Sequence, residues 1–258
     1  MQASMNIRDM ITLRLINQQL GSTKFNTPKE LVGWMGAMQA RDYNQAKWAI
    51  GVRLPHLTEQ QIESAFNKGE ILRTHMMRPT WHFVSADDIY WMLELSAPQI
   101  NHAPATLPDF VWWSGLSVSD ARRGLEMNKP DLNSVTTGPE IYWFESYTSS
   151  NKTIPDSVYL LPAFDEFLIS YKNRSAVIAA EDHKKAISEN GIFRPVVLVN
   201  GQISGLWKRT FKKDIALIQT KYFRAHNKTE ERLMAHAADL FGHFSGKKAE
   251  IKFTEMPP

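Results

Sequence analysis

The residues best suited to chemistry lie in two short runs, Gln39-Ala40-Arg41-Asp42 and Arg78-Pro79-Thr80-Trp81-His82-Phe83-Val84. A Gln amide donates and accepts hydrogen bonds at once, so Gln39 can orient a water molecule. A carboxylate such as Asp42 can add charge stabilisation or act as a base. On a continuous helix, residues three apart share a face, so Gln39 and Asp42 would act together. Asp42 also suits the N-cap of a following helix. Arg41, between them, is always charged and has no acceptor, so it repels a developing cation. Thr80 and His82 share one face of a strand because side chains alternate along it. His82 is read either as a contact residue or as a hydrogen-bonded structural one.

Other catalytic patterns are missing. There is no Gly-rich phosphate loop or nucleophile elbow, and His75 and His82 lack the spacing of a zinc-protease helix. With no cysteine there is neither a disulfide framework nor a thiolate metal site, so no metal or other cofactor is expected.

The elements that must position these residues follow from composition and punctuation. The 258 residues are 43% hydrophobic and 22% charged, which indicates a folded chain of one large domain or two to three modules. Apolar runs fall far short of a membrane span, and no basic-then-apolar leader follows Met1. A cytoplasmic protein with no membrane partner is expected. The net charge of +3 and isoelectric point of about 9.0 permit nucleic-acid binding without requiring it. Lys208, Arg209, Lys212 and Lys213 cluster, and Arg73, Arg78, Arg122 and Arg123 flank candidate binding elements. Such clusters either contact phosphates or form a solvated face.

The pattern predicts an amphipathic helix over 6–20 and a second from the Thr27-Pro28-Lys29-Glu30 cap to Met38 or Gln39. A third helix follows Asp42, and a fourth follows the Thr58–Gln61 cap. Short strands at 71–74 and 80–84 come next, then a helix from Ser85 through Trp91 and Leu95. A cluster of helices closed by a hairpin is the winged-helix arrangement. A shorter unit repeats it: a helix from Thr106 to Gly115, another from Ser119, and strands at 132–135 and 141–144. From Val158 the chain turns to β, with an Asn200-Gly201 hairpin, strands near 215–219 and 221–223, a helix over 229–241 facing Leu233, Ala237 and Leu240 inward, and a strand at 250–253. The division is thus 1–100, 101–150 and 151–258. Trp34, Trp48, Trp91, Trp112 and Trp113 fall at helical positions and are read as core.

Taken in order, several patches resemble the winged-helix DNA glycosylases of the AlkZ type. They are Met38–Asp42 with Ala46-Lys47-Trp48, Arg78–Val84 with Ala86-Asp87-Asp88, Asp109–Leu116, Leu161-Pro162-Ala163-Phe164-Asp165-Glu166-Phe167-Leu168, and Gly205-Leu206-Trp207-Lys208-Arg209. Each is weak alone; together they run through nearly the whole chain in the family's order. The resemblance implies an α+β fold of tandem winged helices ending in a small β-barrel-like domain with one helix. It implies hydrolysis of the N-glycosidic bond of bulky alkylated purines or crosslinks in damaged double-stranded DNA, without a metal, by a protein that is a monomer associated with the nucleoid.

An alkylated purine already carries positive charge and leaves readily. The protein must then stabilise an oxocarbenium-like sugar and place a water beside it. The family's signature is Gln, an apolar residue, then Gln, or Asp in a sister branch, and it falls on Gln39 and position 41. Gln39 with Asp42 is the catalytic expectation. Thr80, His82, Arg78, Asp165, Trp207, Lys208 and Arg209 are expected at DNA or the cleft. Asp165 equally suits tying down its own loop, and Trp207 the core of the β domain.

The chain departs from the family in two ways. Arg41 replaces the second Gln, and Ile100-Asn101-His102 joins the first module directly to what resembles the third, omitting roughly a hundred residues, a module of ordinary size. Two functions therefore stand: a glycosylase of reduced or altered activity, and a non-catalytic winged-helix DNA binder, either a degenerate relative or a regulator.

Overall fold

A computed structural model of the chain describes residues 7–76, 80–89, 104–114, 116–144 and 155–254. Arg78, Trp91 and the join at 100–102 lie outside them. Helix α1 (Ile7–Asn17) falls within the predicted 6–20, and α2 (Pro28–Met35), α3 (Tyr43–Gly51) and α4 (Glu59–Asn67) begin where their caps predict. The Thr27 hydroxyl accepts from the Glu30 N–H while the Glu30 carboxylate accepts from the Thr27 N–H, and Thr58 and Gln61 repeat the arrangement. Asp42 caps α3 by accepting from the Gln45 N–H at 3.1 Å. Lys47 then ties α3 to α4 through Glu59 and Glu63, at 2.8 and 2.9 Å.

The helix expected to reach Gln39 stops early. Gly36, at φ 73°, turns the chain out of α2, and Ala37–Gln39 becomes a strand, β1. Strands β2 (Ile71–Met76) and β3 (Thr80–Ser85) complete an antiparallel sheet in the order β1-β3-β2. Gln39 therefore sits on a strand, and the shared helix face proposed for Gln39 and Asp42 does not exist.

Helices α5 (Leu107–Ser114) and α6 (Val118–Asn128) precede the hairpin of β4 (Asn133–Thr137) and β5 (Glu140–Phe144). Ser119 falls inside α6 rather than at its cap. The last part is a five-stranded sheet of β6 (Val158–Leu161), β7 (Val196–Val199), β8 (Gln202–Lys212), β9 (Ile215–Tyr222) and β10 (Lys248–Thr254), in the order β10-β9-β8-β7-β6. Short helices α7 (Glu166–Ile169) and α8 (His183–Ala186) lie between β6 and β7. Asn200 and Gly201 turn at φ 49° and 77°, both positive as a type I′ hairpin requires.

The expected β-barrel-like closure is replaced by an open sheet. After β9 the chain crosses through α9 (Lys228–Ser245), and β10 joins parallel to β9 at the edge far from β6. The two outer strands cannot meet, and α9 packs along the sheet instead. Met234, Ala237, Ala238 and Phe241 form its buried face, while Leu233 is only partly buried. Gly51 lets α3 approach this helix, because a Cβ there would lie 2.7 Å from the Phe244 ring.

Two apolar clusters hold the molecule together, and each spans distant parts of the sequence. One joins Leu31, Ile50 and Phe83 to Leu160, Trp207, Met234 and Phe241; the other joins Met10 and Leu15 to Tyr142, Phe167 and Leu198. The Trp48 and Trp207 indoles donate to the Leu160 and Leu161 carbonyls, each at 2.7 Å. Trp207 is thus core rather than a DNA contact: it is 3% exposed and its only polar atom is spent on β6. No helix among the described residues is long and apolar enough to cross a membrane.

Polar groups also knit the halves together. Arg53, just past α3, is 1% exposed, and all five of its N–H groups have acceptors. Its Nε donates to the Gln18 carbonyl, Nη1 to the Ala49 carbonyl and Asp165, and Nη2 to the Gln18 amide oxygen and Asp165. Removing one partner of such a pair strands the other charge. Asp165→Ala is expected to lower stability by about 3–5 kcal/mol, read by urea unfolding. Loss of under about 1 kcal/mol would mean that the pair is not holding the halves together.

Candidate active site

Gln39 ends β1, and the residues after it are fixed at nearly every backbone group. The Gln39 N–H donates to Glu166 Oε1 at 2.7 Å, and the Ala40 N–H to the Trp81 carbonyl at 2.7 Å. The Arg41 N–H donates to Gln39 Oε1 at 2.9 Å. Arg73 Nε and Nη2 donate to the Ala40 and Arg41 carbonyls at 3.0 and 3.2 Å. Gln39 Oε1 keeps a second lone pair, and the amide NH2 remains to donate.

Register places His82 directly across from Gln39 and Thr74 directly across from His82. Gln39, His82 and Thr74 thus form a row over three strands, with neighbouring Cβ atoms about 5 Å apart. Thr80 opens β3, two positions before His82.

Glu166 sits behind Gln39, and sequence reasoning missed it. It is 4% exposed, and its second oxygen accepts from the Ser170 hydroxyl at 2.6 Å. Burial pushes its pKa up to about 7, against the two hydrogen bonds, which favour the charged form; the neighbouring Asp165 carboxylate adds to the rise and Arg53 opposes it. A signal was present: two adjacent carboxyls between Leu160-Leu161-Pro162 and Phe167-Leu168 can only be buried there if both are partnered.

The other expected site residues separate. Asp165 is 3% exposed, with both oxygens on Arg53 and Oδ1 also capping α7 through the Phe167 N–H, so it ties down its own loop and does not reach a cleft. Asp42 is spent as a cap. Lys208 is exposed on β8, away from the Gln39 row in sequence and sheet. Arg209 is half-buried; burial lowers its pKa, opposed by the carboxylates of Asp42 and Glu59, so it sits beside the start of α3. Arg41 is exposed, with its guanidinium 5.7 Å from the centre of the Phe164 ring. Phe164 itself is left-handed at φ 58° in the turn before α7, a conformation costing a bulky residue about 1 kcal/mol or more.

The model of the DNA glycosylase AlkZ-like family matches residues 32–103 and 100–244, and the chain belongs to that family. The two matched stretches overlap at residues 100–103. Among solved structures, the chain is similar to Streptomyces sahachiroi DNA glycosylase AlkZ, with a TM-score of 0.73 at 14% identity, covering 98% of this chain and 100% of that one. No curated protein sequence matches it.

The raised pKa of Glu166 has a defined consequence for stability. Between the ordinary carboxyl value of 4.5 and about 7 only the folded chain holds this proton. Stability therefore falls as pH rises through that window, by up to about 3 kcal/mol from this group. Glu166→Gln can keep both hydrogen bonds without a charge. Urea unfolding at pH values below and above the window should show a smaller decline in E166Q than in the native chain; equal declines would contradict the buried, protonated carboxyl.

Proposed function

We propose that this chain hydrolyses the N-glycosidic bond of a bulky alkylated purine in double-stranded DNA, with Gln39 orienting the attacking water. Helices α2–α4 and the β2–β3 hairpin act as a winged helix against the duplex, with His82 across from Gln39 and Thr80 at the start of the same strand. The observation that carries this reading is the fixing of Gln39-Ala40-Arg41 by Glu166, Trp81 and Arg73, which holds one amide in place while leaving an Oε1 lone pair to accept from the water and the NH2 to orient it. A preorganised dipole of this kind assists charge development without reorganising during the reaction. The DNA-repair family to which the chain belongs supports the same reaction class.

Arg41 favours a second reading, a DNA binder that keeps the architecture without the chemistry. An exposed guanidinium one residue beyond the Gln39–Ala40 pair opposes the positive charge that builds on the sugar. Single-turnover release of an alkylated guanine from duplex DNA separates the two. The glycosylase reading expects release that drops roughly a hundredfold in Gln39→Ala and rises in Arg41→Gln. Salt-sensitive DNA binding with no release from any version would establish the binder.

A further inference from the structure

We propose that the face of the Phe164 ring is the seat of the extruded, positively charged base, and that in the free protein the Arg41 guanidinium occupies it. The proposal rests on the glycosylase reading above and names how that site would tell a damaged base from an intact one.

The turn at Ala163–Phe164 is a poor place for a phenylalanine. At φ 58° the backbone favours glycine or asparagine, and an aromatic side chain is held there against its own preference. What imposes the conformation is visible in the next two residues. Asp165 is drawn to Arg53 and Glu166 to the Gln39 N–H, so consecutive carboxyls are committed to different partners and the chain before them must turn sharply. That explains the backbone but not the side chain. The ring packs against the second apolar cluster on one side and is only half-buried, so part of its surface stays open. Phe193 supports it, with ring centres 5.9 Å apart and planes tilted by 51°.

The ring's other neighbour suggests what it is for. A planar cation, the Arg41 guanidinium, already lies 5.7 Å from its centre. The same residue's N–H binds the Gln39 amide oxygen, so the ring and the proposed water-orienting group are joined through one residue. A purine alkylated on a ring nitrogen is also planar and cationic, whereas an intact purine is neutral. The negative face of an aromatic ring attracts the first more strongly than the second. Enzymes that act on a base withdraw it from the stack and hold it against such surfaces. Arg41 is exposed on a flexible side chain and can leave the ring when the base arrives, at the cost of its own contact. Its presence in place of an uncharged residue then weakens binding of the charged base.

Duplexes carrying a single uncleavable base provide the test, with 2′-fluoro-7-methylguanine as the cation and 7-methyl-7-deazaguanine as its neutral counterpart. Dissociation constants are measured by fluorescence anisotropy for the native chain, F164L, F164Y and R41A. The native chain should bind the cationic duplex roughly two- to fivefold more tightly than the neutral one, the range of an exposed cation–aromatic contact. F164Y should keep that ratio, F164L should bring it to about one whatever it does to the absolute affinities, and R41A should widen it. An unchanged ratio in F164L, or no ratio in any protein that binds both duplexes, overturns the proposal while leaving the glycosylase reading standing. Failure to bind either duplex removes both. Should F164L melt early, the R41A arm decides: a ratio that narrows or stays fixed contradicts a guanidinium competing for the ring.

Discussion

The ion pair between Arg53 and Asp165 is the constraint on which the rest of the structure depends. Both groups are buried, and removing either would leave the other as an uncompensated charge. Arg53 closes α3, Gln18 follows α1, and Asp165 opens α7, so one guanidinium fixes three segments far apart in sequence. The apolar clusters supply most of the burial energy, but they are tolerant of small shifts. A bidentate pair with every N–H satisfied is not, and it ties the ends of α1 and α3 to the segment after β6.

That register is what brings Glu166 to Gln39. Because Glu166 directly follows the residue clamped by Arg53, its carboxyl has little freedom except toward β1. Two neighbouring acids thus divide the work: one locks the fold, and the other reaches the strand end where the polar row begins. The arrangement costs stability at neutral pH, since Glu166 resists ionising in its buried place. Phe164 carries a second local cost just before them. Strain and an unwilling charge within three residues of each other, beside one glutamine, fit a segment shaped by something other than stability.

Much of the fold was legible in the sequence. The caps at Thr27, Asp42 and Thr58, the Asn200-Gly201 turn and the short hairpins all rest on local chemistry, and the structure follows them. The errors came where local preference lost to distant contacts. The helical pattern through Trp34 continues past Gly36, but pairing with β3 claims Ala37–Gln39 as a strand. The family resemblance implied a barrel-like end, whereas the parallel return of β10 after α9 leaves the sheet open. Of the site, Gln39 and His82 were named, and register sets them opposite each other. Asp165 suited either a cleft or its own loop, and Trp207 either a DNA contact or the core, because motif position says nothing about burial; burial decides for loop and core. Glu166 was passed over, since its partner lies more than a hundred residues away.

The central claim is that Glu166 holds Gln39 in its working position, and the pH dependence of single-turnover base release tests it most directly. An ionised carboxylate binds the Gln39 N–H more firmly than a protonated one. Release by the native chain should therefore rise through an inflection near pH 7, as the carboxyl ionises at about that value, while E166Q should lack the inflection. The same inflection in both proteins, or a rate in the native chain that falls as Glu166 ionises, would contradict the account.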